Sequence, residues 1–420
     1  MLMALPAILA YQNCGDGFQV STDFGSLSLR TPFEDTRGAL YDQGVLDDWD
    51  RAYPPLVRDA SCMTGSRFTL CLPQKDPVTA NGGAFSPLYA PGSGTQAQEY
   101  KVLSSGLKTP RTKPANRHYV LKGDYEPFIQ IFATMKNGTW KHSYINGTQH
   151  EVAQLNVWYW INRQRTYMRD RTQKYFFDAD TAKKQLTIRP YLDSFENAAF
   201  SRTDSSLNFG HRTIQGVKHD FALDATVIAH EAGHGNFFYA NRGGGVDNVT
   251  INDDTLRASF CPTVNGCMGA IDEGIGDIHS FILFPDNPTP LGAYIANSPS
   301  GLRNAETDLA SETAQSLFDR IPDTGYPKGE IHNTGQVYAA IWFGVWKTAK
   351  AAGTEKDIEI LFTEHMTDLV GSDTFITAYN RVIKPNVEQL FRAQPTKVQQ
   401  IKASFRAQYQ KLSLTGYDTN

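Results

Sequence analysis

Residues 224–234 read DATVIAHEAGH, and this segment decides the fold and the chemistry of the chain. Asp224 is a residue type that caps helix N-termini, and the apolar run after it predicts a buried helix. Residues four apart lie on one face of a helix, so His230 and His234 can bind the same metal ion. Glu231 lies beside them and can reach a water molecule near the metal. The segment therefore predicts a rigid metal site on a buried helix.

A third metal ligand is expected from a second helix, because catalytic zinc takes three protein ligands and a water. Six residues after His234 stands Ala240, so the third histidine of the long metzincin motif is absent. Residues 270–279 read AIDEGIGDIH and place Glu273 and Asp277 on one helical face, among isoleucines that favour burial. Glu273 is the candidate third ligand, and Asp277 can accept a hydrogen bond from a ligand histidine. The alternative is an ordinary helix with solvated acidic groups.

The chain as a whole changes from a β-rich first half to a helical second half, which predicts an α+β fold of two lobes. Strand patterns are expected within 118–140 and at 185–191. Helical patterns are expected at 152–171, 223–240, 269–284, 304–320, 333–351, 356–370, 373–383 and 386–411, the last interrupted at Pro395.

These segments resemble the thermolysin–fungalysin metallopeptidases, the gluzincins, in which a glutamate is the third zinc ligand. The resemblance covers roughly residues 118–390. It implies a β-rich N-terminal lobe and a helical C-terminal lobe, with the zinc site in the cleft between them. The family's second motif reads N-E-A-x-x-D or similar, whereas residues 272–277 read DEGIGD. The segment between the two motifs is longer than in thermolysin and contains Gly243–Gly245.

The resemblance also implies roles for four residues outside the two motifs. Glu196–Phe200 (ENAAF) is similar to the edge strand on which the family lays its substrate backbone, with Asn197 and Ala198 as contacts. His332, in the segment EIHNTG, is similar to the histidine that stabilises the oxyanion. Arg303, in the segment GLR, is similar to the arginine that binds the substrate carbonyl after the cleaved bond. A loop asparagine, a structural histidine and a surface arginine are the alternatives.

Composition and the resemblance together divide the chain into four parts. Residues 1–14 are a signal-like or lipoprotein-like segment, and residues 15–115 are an N-terminal extension rich in Gly, Pro, Ser and Thr. Residues 116–240 form the β-rich lobe and end in the first motif helix. Residues 241–420 form the helical lobe, with the third zinc ligand and the oxyanion histidine.

Several features favour export. The terminal run MLMALPAILA is similar to the apolar part of a secretion signal, although the preceding basic segment is missing. Cys14 follows this run and is placed like a bacterial lipoprotein cysteine that carries a lipid anchor. The pairs Cys62/Cys71 and Cys261/Cys267 can each close a short disulfide loop. We expect a secreted protein or a membrane-anchored lipoprotein of the bacterial envelope, with an intracellular protein with unpaired thiols as the alternative.

The charge of the chain limits its partners. The formal net charge is −4 and no long basic run is present, so nucleic acid and anionic membrane surfaces are poor candidates. We expect a monomer that binds protein or peptide substrates. Asp247, Asp253 and Asp254 form an acidic cluster, which leaves calcium open as a second cofactor beside a solvated loop.

The function implied by the resemblance is that of a zinc-dependent endopeptidase that hydrolyses internal peptide bonds through a metal-activated water. His230, His234 and Glu273 would hold the zinc. Glu231 would act as the base, and His332 and Arg303 would stabilise the oxyanion. One alternative is a non-catalytic zinc-binding or adhesion lipoprotein on the same scaffold. A gluzincin aminopeptidase is less favoured, because the chain lacks the G-x-M-E-N segment that grips a free amino terminus.

Overall fold

The computed structural model shows strands before and after the first long helix, followed by a helical C-terminal region. The structure describes residues 70–73, 100–103, 111–112, 118–122, 129–134, 150–174, 176, 186–189, 192, 195–202, 206–214, 217–241, 267–285, 288, 290–320 and 331–417. The predictions about residues 1–14, about Cys14, Cys62 and Cys261, and about the acidic cluster at 247–254 lie outside the described residues. The side chain of Cys71 also lies outside them.

The strands form one mixed sheet and two separate pairs. They are β1 (Leu70–Pro73), β2 (Tyr100–Leu103), β3 (Arg111–Thr112), β4 (His118–Lys122), β5 (Ile129–Thr134), β6 (Leu186–Arg189), β7 (Ala198–Ser201), β8 (Ser206–Phe209), β9 (His211–Ile214) and β10 (Val217–Asp220). The six-stranded sheet has the order β3-β4-β5-β6-β8-β7. Strand β6 is parallel to β5 and to β8, whereas β7 runs antiparallel to β8 at the sheet edge. Strands β1 with β2 and β9 with β10 form the antiparallel pairs.

Helices account for most of the described residues after residue 150. They are α1 (His150–Thr172), α2 (Ala225–Ala240), α3 (Met268–Leu283), α4 (Ala293–Ala296), α5 (Ala305–Ser311), α6 (Ala314–Asp319), α7 (Ile331–Ala351), α8 (Glu355–Asp368), α9 (Phe375–Thr377), α10 (Lys384–Leu390) and α11 (Pro395–Lys411). A six-residue π-helix, Ala378–Ile383, joins α9 to α10. The predicted helical C-terminal region is therefore confirmed. The two-lobed layout and the four-part division stay predictions.

Helix α3 lies at the centre of the helical region and packs against both α2 and α7. All of its residues are buried, as are nearly all residues of α2. A helix that is apolar all round belongs inside a protein, and α3 keeps only a few polar side chains there. Those polar side chains need partners inside the core, because a buried charge without one is costly.

The start of α2 is fixed by Asp224, as its sequence predicts. The Asp224 carboxylate accepts hydrogen bonds from the backbone N–H groups of Thr226 and Val227, and from the Thr226 hydroxyl at 2.6 Å. Capping satisfies donors that the first turn leaves unpaired. The histidine pair one turn further on is thereby held in a fixed register.

Two predicted helices are interrupted in the structure. The pattern over 304–320 gives the two short helices α5 and α6, because Thr313 caps the second with a reciprocal Thr313–Ser316 box. The pattern over 373–383 becomes a short helical turn followed by the π-helix. Pro395 is the first residue of α11, a position where its missing N–H costs nothing.

Candidate metal centre

Three side chains from α2 and α3 converge on one point in the core. The Nε2 atoms of His230 and His234 lie 2.9 Å apart. Glu273 places Oε2 3.5 Å from His230 Nε2 and Oε1 3.8 Å from His234 Nε2. Ligand atoms about 2.0–2.2 Å from a tetrahedral zinc ion are themselves roughly 3.3 Å apart. The cluster therefore has the size of a single zinc site, and among the described residues it is the only one of this kind.

The donor set also fits zinc by its chemistry. Two imidazole nitrogens and one carboxylate are the ligands of catalytic zinc sites. Glu273 Oε1 is buried and makes no hydrogen bond with any described residue. The two ring nitrogens face each other at 2.9 Å, so a single proton or a single metal ion between them can satisfy both. The free carboxylate oxygen beside two converging ring nitrogens indicates that the residues present can hold the metal.

A carboxylate contacts each ligand histidine at Nδ1, on the side of the ring that faces away from the cluster. His234 Nδ1 lies 2.8 Å from Asp272 Oδ1, and His230 Nδ1 lies 2.9 Å from Asp277 Oδ1. When Nδ1–H donates to a carboxylate, Nε2 carries the lone pair that binds the metal. These contacts assign the same tautomer to both rings and direct both Nε2 atoms into the cluster.

An arginine supports each of these carboxylates. Arg303 donates from Nη1 to Glu273 Oε2 at 2.9 Å, and its Nη2 forms an ion pair with Asp277 Oδ1 at 3.1 Å. Arg202 donates from Nη2 to Asp272 Oδ2 at 2.7 Å. The two guanidinium groups offset part of the negative charge that α3 buries.

Burial and neighbouring charges shift the pKa values at the site. Burial raises the pKa of Glu231, and the adjacent His230 and His234 only partly oppose it. For Glu273, burial also acts upward, but the charge of His332 and a hydrogen bond from His230 outweigh it and hold the pKa well below its usual range. The third ligand thus stays ionised, while Glu231 has a greater affinity for a proton than an exposed glutamate has.

Close packing of α7 on α3 fixes Glu273. A Cβ added at Gly335 would lie 2.6 Å from the Glu273 Cβ and 2.7 Å from the Ala270 carbonyl oxygen. Only a glycine at this position in α7 lets the two helices approach so closely. His332, one turn earlier in α7, thereby reaches Glu273, with Nε2 3.5 Å from Oε1.

Comparison with known proteins identifies the site. A family model, fungalysin metallopeptidase (M36), matches residues 153–410. The chain belongs to the fungalysin family. This fungalysin is a zinc metalloendopeptidase, and the recognition made from the two sequence motifs is confirmed. The chain is also similar to the precursor of protealysin, a metalloproteinase from Serratia proteamaculans, at 13% identity and a TM-score of 0.45, over 64% of this chain and 80% of that one. No curated protein matches significantly.

The predicted site residues of this fungalysin come together around one point, apart from the substrate-strand pair. His230, His234 and Glu273 form the cluster, and Asp277 and Arg303 contact it as described above. Asn197 and Ala198 lie instead at the start of the edge strand β7, which packs against α2. The Asn197 carbonyl accepts a hydrogen bond from the Gly210 N–H at 2.8 Å. Their roles in catalysis and substrate binding stay predictions.

Sequence reasoning missed Asp272 and Arg202. In the sequence, Asp272 belongs to the second motif without an assigned role, although a charged residue occupies a position where the family pattern has asparagine. That difference was a signal that a compensating cation lies nearby. Arg202 itself gives no signal, because it is a single arginine after a short strand.

The remaining predictions about this fungalysin concern export and cofactors. No helix in the described part of the chain is both long and apolar enough to cross a membrane. Cys267 is buried, and its pairing with Cys261 stays a prediction. Calcium binding stays a prediction, because the acidic cluster on which it depends lies outside the described residues.

Proposed function

We propose that this fungalysin hydrolyses internal peptide bonds of proteins, with zinc held by His230, His234 and Glu273 and with Glu231 as the general base. The observation that carries the proposal is the burial of Glu231, which directly follows His230 on helix α2 and is 2% exposed. A scaffold that only bound zinc would have no need of an additional carboxylate buried at this point. This argues against the non-catalytic alternative.

Zinc, when bound, polarises the substrate carbonyl and lowers the pKa of a water molecule at the site. Glu231 accepts the proton of the attacking water and then passes it to the nitrogen of the leaving amine. A base whose pKa is raised by burial binds this proton more readily at neutral pH. The same carboxyl group, once protonated, is a competent acid for the second half of the reaction.

His332 and Arg303 stabilise the negative charge that develops on the carbonyl oxygen. The contact of His332 with Glu273 supports this role, because it holds the imidazole beside the metal ligands. Arg303 is anchored by Glu273 and Asp277, so its charge is fixed before substrate arrives. Groups already held in place pay no reorganisation cost during the reaction.

The substrate binds as an additional strand along β7. This strand pairs only with β8 among the described strands, so one edge is left for an incoming peptide. Ala198 and Phe200 are buried while Ala199 and Ser201 are half-buried, as expected for a sheet edge with one face on the core. Main-chain pairing accepts many sequences, which suits an endopeptidase.

The test is Glu231→Gln in the full chain, with casein cleavage and zinc content measured on the same sample. The amide keeps the size of the side chain but cannot take a proton, so kcat/KM should fall by about 10²–10⁴ while one zinc stays bound. Glu306→Gln, at an exposed glutamate, is the matched control and should keep full activity. Full activity of Glu231→Gln with zinc retained would remove Glu231 as the base. If products are released only from chain ends, the activity is that of an exopeptidase and not that of an endopeptidase.

We also propose that the protein acts outside the cytoplasm, which the apolar run at residues 1–10 and the spacing of the cysteines favour. The mass of the mature N-terminus distinguishes a lipid on Cys14 from a simple cleavage.

A further inference from the structure

A chain of three charged or polar side chains connects the sheet edge to the metal cluster. Arg202 directly follows strand β7 and donates to Asp272 Oδ2 at 2.7 Å. Asp272 then contacts His234 Nδ1 through its other oxygen, Oδ1, at 2.8 Å. The side chains of Asp272 and His234 are 1% and 2% exposed, and that of Arg202 is 11% exposed. One carboxylate thus uses one oxygen for the arginine and the other for the histidine.

Asp272 requires a cation because its carboxylate is taken out of water. A buried carboxylate without a charged partner strongly destabilises the folded chain. The neutral asparagine of the family pattern would carry no such cost. In this chain the aspartate is therefore coupled to Arg202, a residue 70 positions away in the sequence.

Arg202 is itself held in place by aromatic packing. Its guanidinium carbon lies 5.7 Å from the centroid of the Phe238 ring on α2, and that ring lies 5.8 Å from the ring of Phe200 on β7. A cation over an aromatic face is stabilised electrostatically. The guanidinium group is thus fixed between Phe238 and Asp272, and it can fix the plane of the carboxylate in turn.

The opposite side of the site has the same arrangement. His230 contacts Asp277 and Asp277 contacts Arg303, so each ligand histidine is followed by a carboxylate and an arginine. Arg303 belongs to the proposed catalytic set, whereas Arg202 has no role in it. We propose that Arg202 is a positioning residue for the zinc ligand His234, acting through Asp272.

This inference rests on the proposed zinc site. The change in zinc affinity expected on removal of Arg202 is opposite in sign to the change expected from the loss of its charge alone. Arg202 is a cation close to the metal, so removing its charge alone should strengthen zinc binding. If Arg202 instead holds Asp272 and through it the His234 ring, its removal should weaken zinc binding. Loss of a group that orients a metal ligand typically lowers metal affinity by about 10–100-fold.

The experiment is a double-mutant cycle on the full chain with Arg202→Gln, Asp272→Asn and the double variant. Zinc affinity is measured at fixed pH by competition with a chromophoric chelator, independently of catalysis. Arg202→Gln should lower zinc affinity about tenfold when Asp272 is present. In the Asp272→Asn background the same substitution should change affinity less than about twofold, because no buried charge then depends on the arginine.

If Arg202→Gln alone fails to fold, the effect of Asp272 on zinc affinity can still be measured with Asp272→Asn. The asparagine oxygen can still accept from His234, and it leaves no buried charge. The matched control is Arg381→Gln, which breaks another pair between an arginine and a buried aspartate, Asp373, and should leave zinc affinity unchanged. Circular dichroism of the metal-free variants confirms that each is folded.

The outcomes separate this inference from the proposed function. Unchanged or increased zinc affinity in Arg202→Gln would overturn the positioning role while leaving the zinc site intact. An equal loss in both backgrounds would overturn it too, because Arg202 would then act through Phe238 or the strand. A wild-type chain that binds no zinc would overturn the proposed function and the inference with it. A loss confined to the Asp272 background would support the positioning role.

Discussion

Gly276 lies against the imidazole of His230. A Cβ added at Gly276 would lie 2.5 Å from His230 Nδ1 and 2.6 Å from Cε1, closer than real side chains approach. The ring therefore packs against the backbone of α3, next to Asp277, whose Oδ1 lies 2.9 Å from His230 Nδ1. The two motif helices can bring their ligands together because α3 has no side chain at this point.

Gly276→Ala should therefore lower zinc affinity. The added methyl group overlaps the ring rather than a flexible side-chain end, so the ring must rotate away from the position that aims Nε2 at the metal. We expect a loss of about 10–100-fold, similar to that for groups that orient metal ligands. Zinc affinity by chelator competition measures it.

Gly344→Ala is the matched control for this substitution. Its Cβ would meet the end of the flexible Gln408 side chain on α11, away from the metal. It should affect thermal stability but not zinc affinity. Equal zinc affinities of the Gly276 and Gly344 variants would contradict the seating of the ring on Gly276.

Zinc binding should release protons and strengthen as the pH rises. In the metal-free chain burial and Arg303 lower the pKa of His230, but hydrogen bonds to Asp277 and Glu273 outweigh them and raise it to about 9. The ring is therefore protonated below about pH 9 and must lose that proton before Nε2 can bind the metal. Affinity should increase from pH 6 toward pH 9 and then level off.

Calorimetric titration with zinc in buffers of different ionisation enthalpy counts the released protons. Asp277→Asn removes the strongest contribution that raises the His230 pKa, so fewer protons should be released at pH 7. Proton release unchanged by Asp277→Asn would show that this carboxylate does not control His230.

His332→Gln should separate catalysis from metal binding. His332 contacts Glu273 from α7 but is not among the three ligands, so one zinc should stay bound. The loss of the proposed oxyanion donor should lower kcat about 10²–10³-fold with a small change in KM. Steady-state kinetics on a fluorogenic peptide measures both constants. A rise in KM with unchanged kcat would instead assign His332 to substrate binding.

The metal ligands could be predicted from the sequence because each depends on local pattern. Asp224 marks the helix start, and the His230/His234 spacing follows from the helical repeat. The isoleucines around Glu273 indicate that its helix is buried. The predicted helix 223–240 accordingly agrees with Ala225–Ala240 to within two residues.

The contacts that support these ligands depend on tertiary packing and could not be predicted. Arg202 reaches Asp272 only because β7 packs on α2. The β9–β10 pair was also missed, although Gln215–Gly216 separates its strands and is a turn signal. The split of 304–320 depends on Thr313, whose capping role was overlooked in an otherwise periodic segment.

The last prediction concerns the stability of the helical region rather than the metal site. Glu359 on α8 is completely buried and accepts hydrogen bonds from side chains of two other helices. Tyr167 and Arg171 of α1 donate to it at 2.9 and 2.6 Å, and Trp346 of α7 donates at 3.1 Å. This single carboxylate therefore connects α1, α7 and α8.

Glu359→Ala should lower the free energy of unfolding by about 3–5 kcal/mol, because it leaves three donors and part of a buried charge without an acceptor. Glu364→Ala removes a half-exposed glutamate of the same helix that pairs with Lys174, and should cost less than about 1 kcal/mol. Urea unfolding of both metal-free variants measures the difference. Because Glu359 does not contact the zinc ligands, zinc affinity of the folded protein should be unchanged. Equal unfolding free energies for the two variants would show that the Glu359 network adds no more than a surface pair.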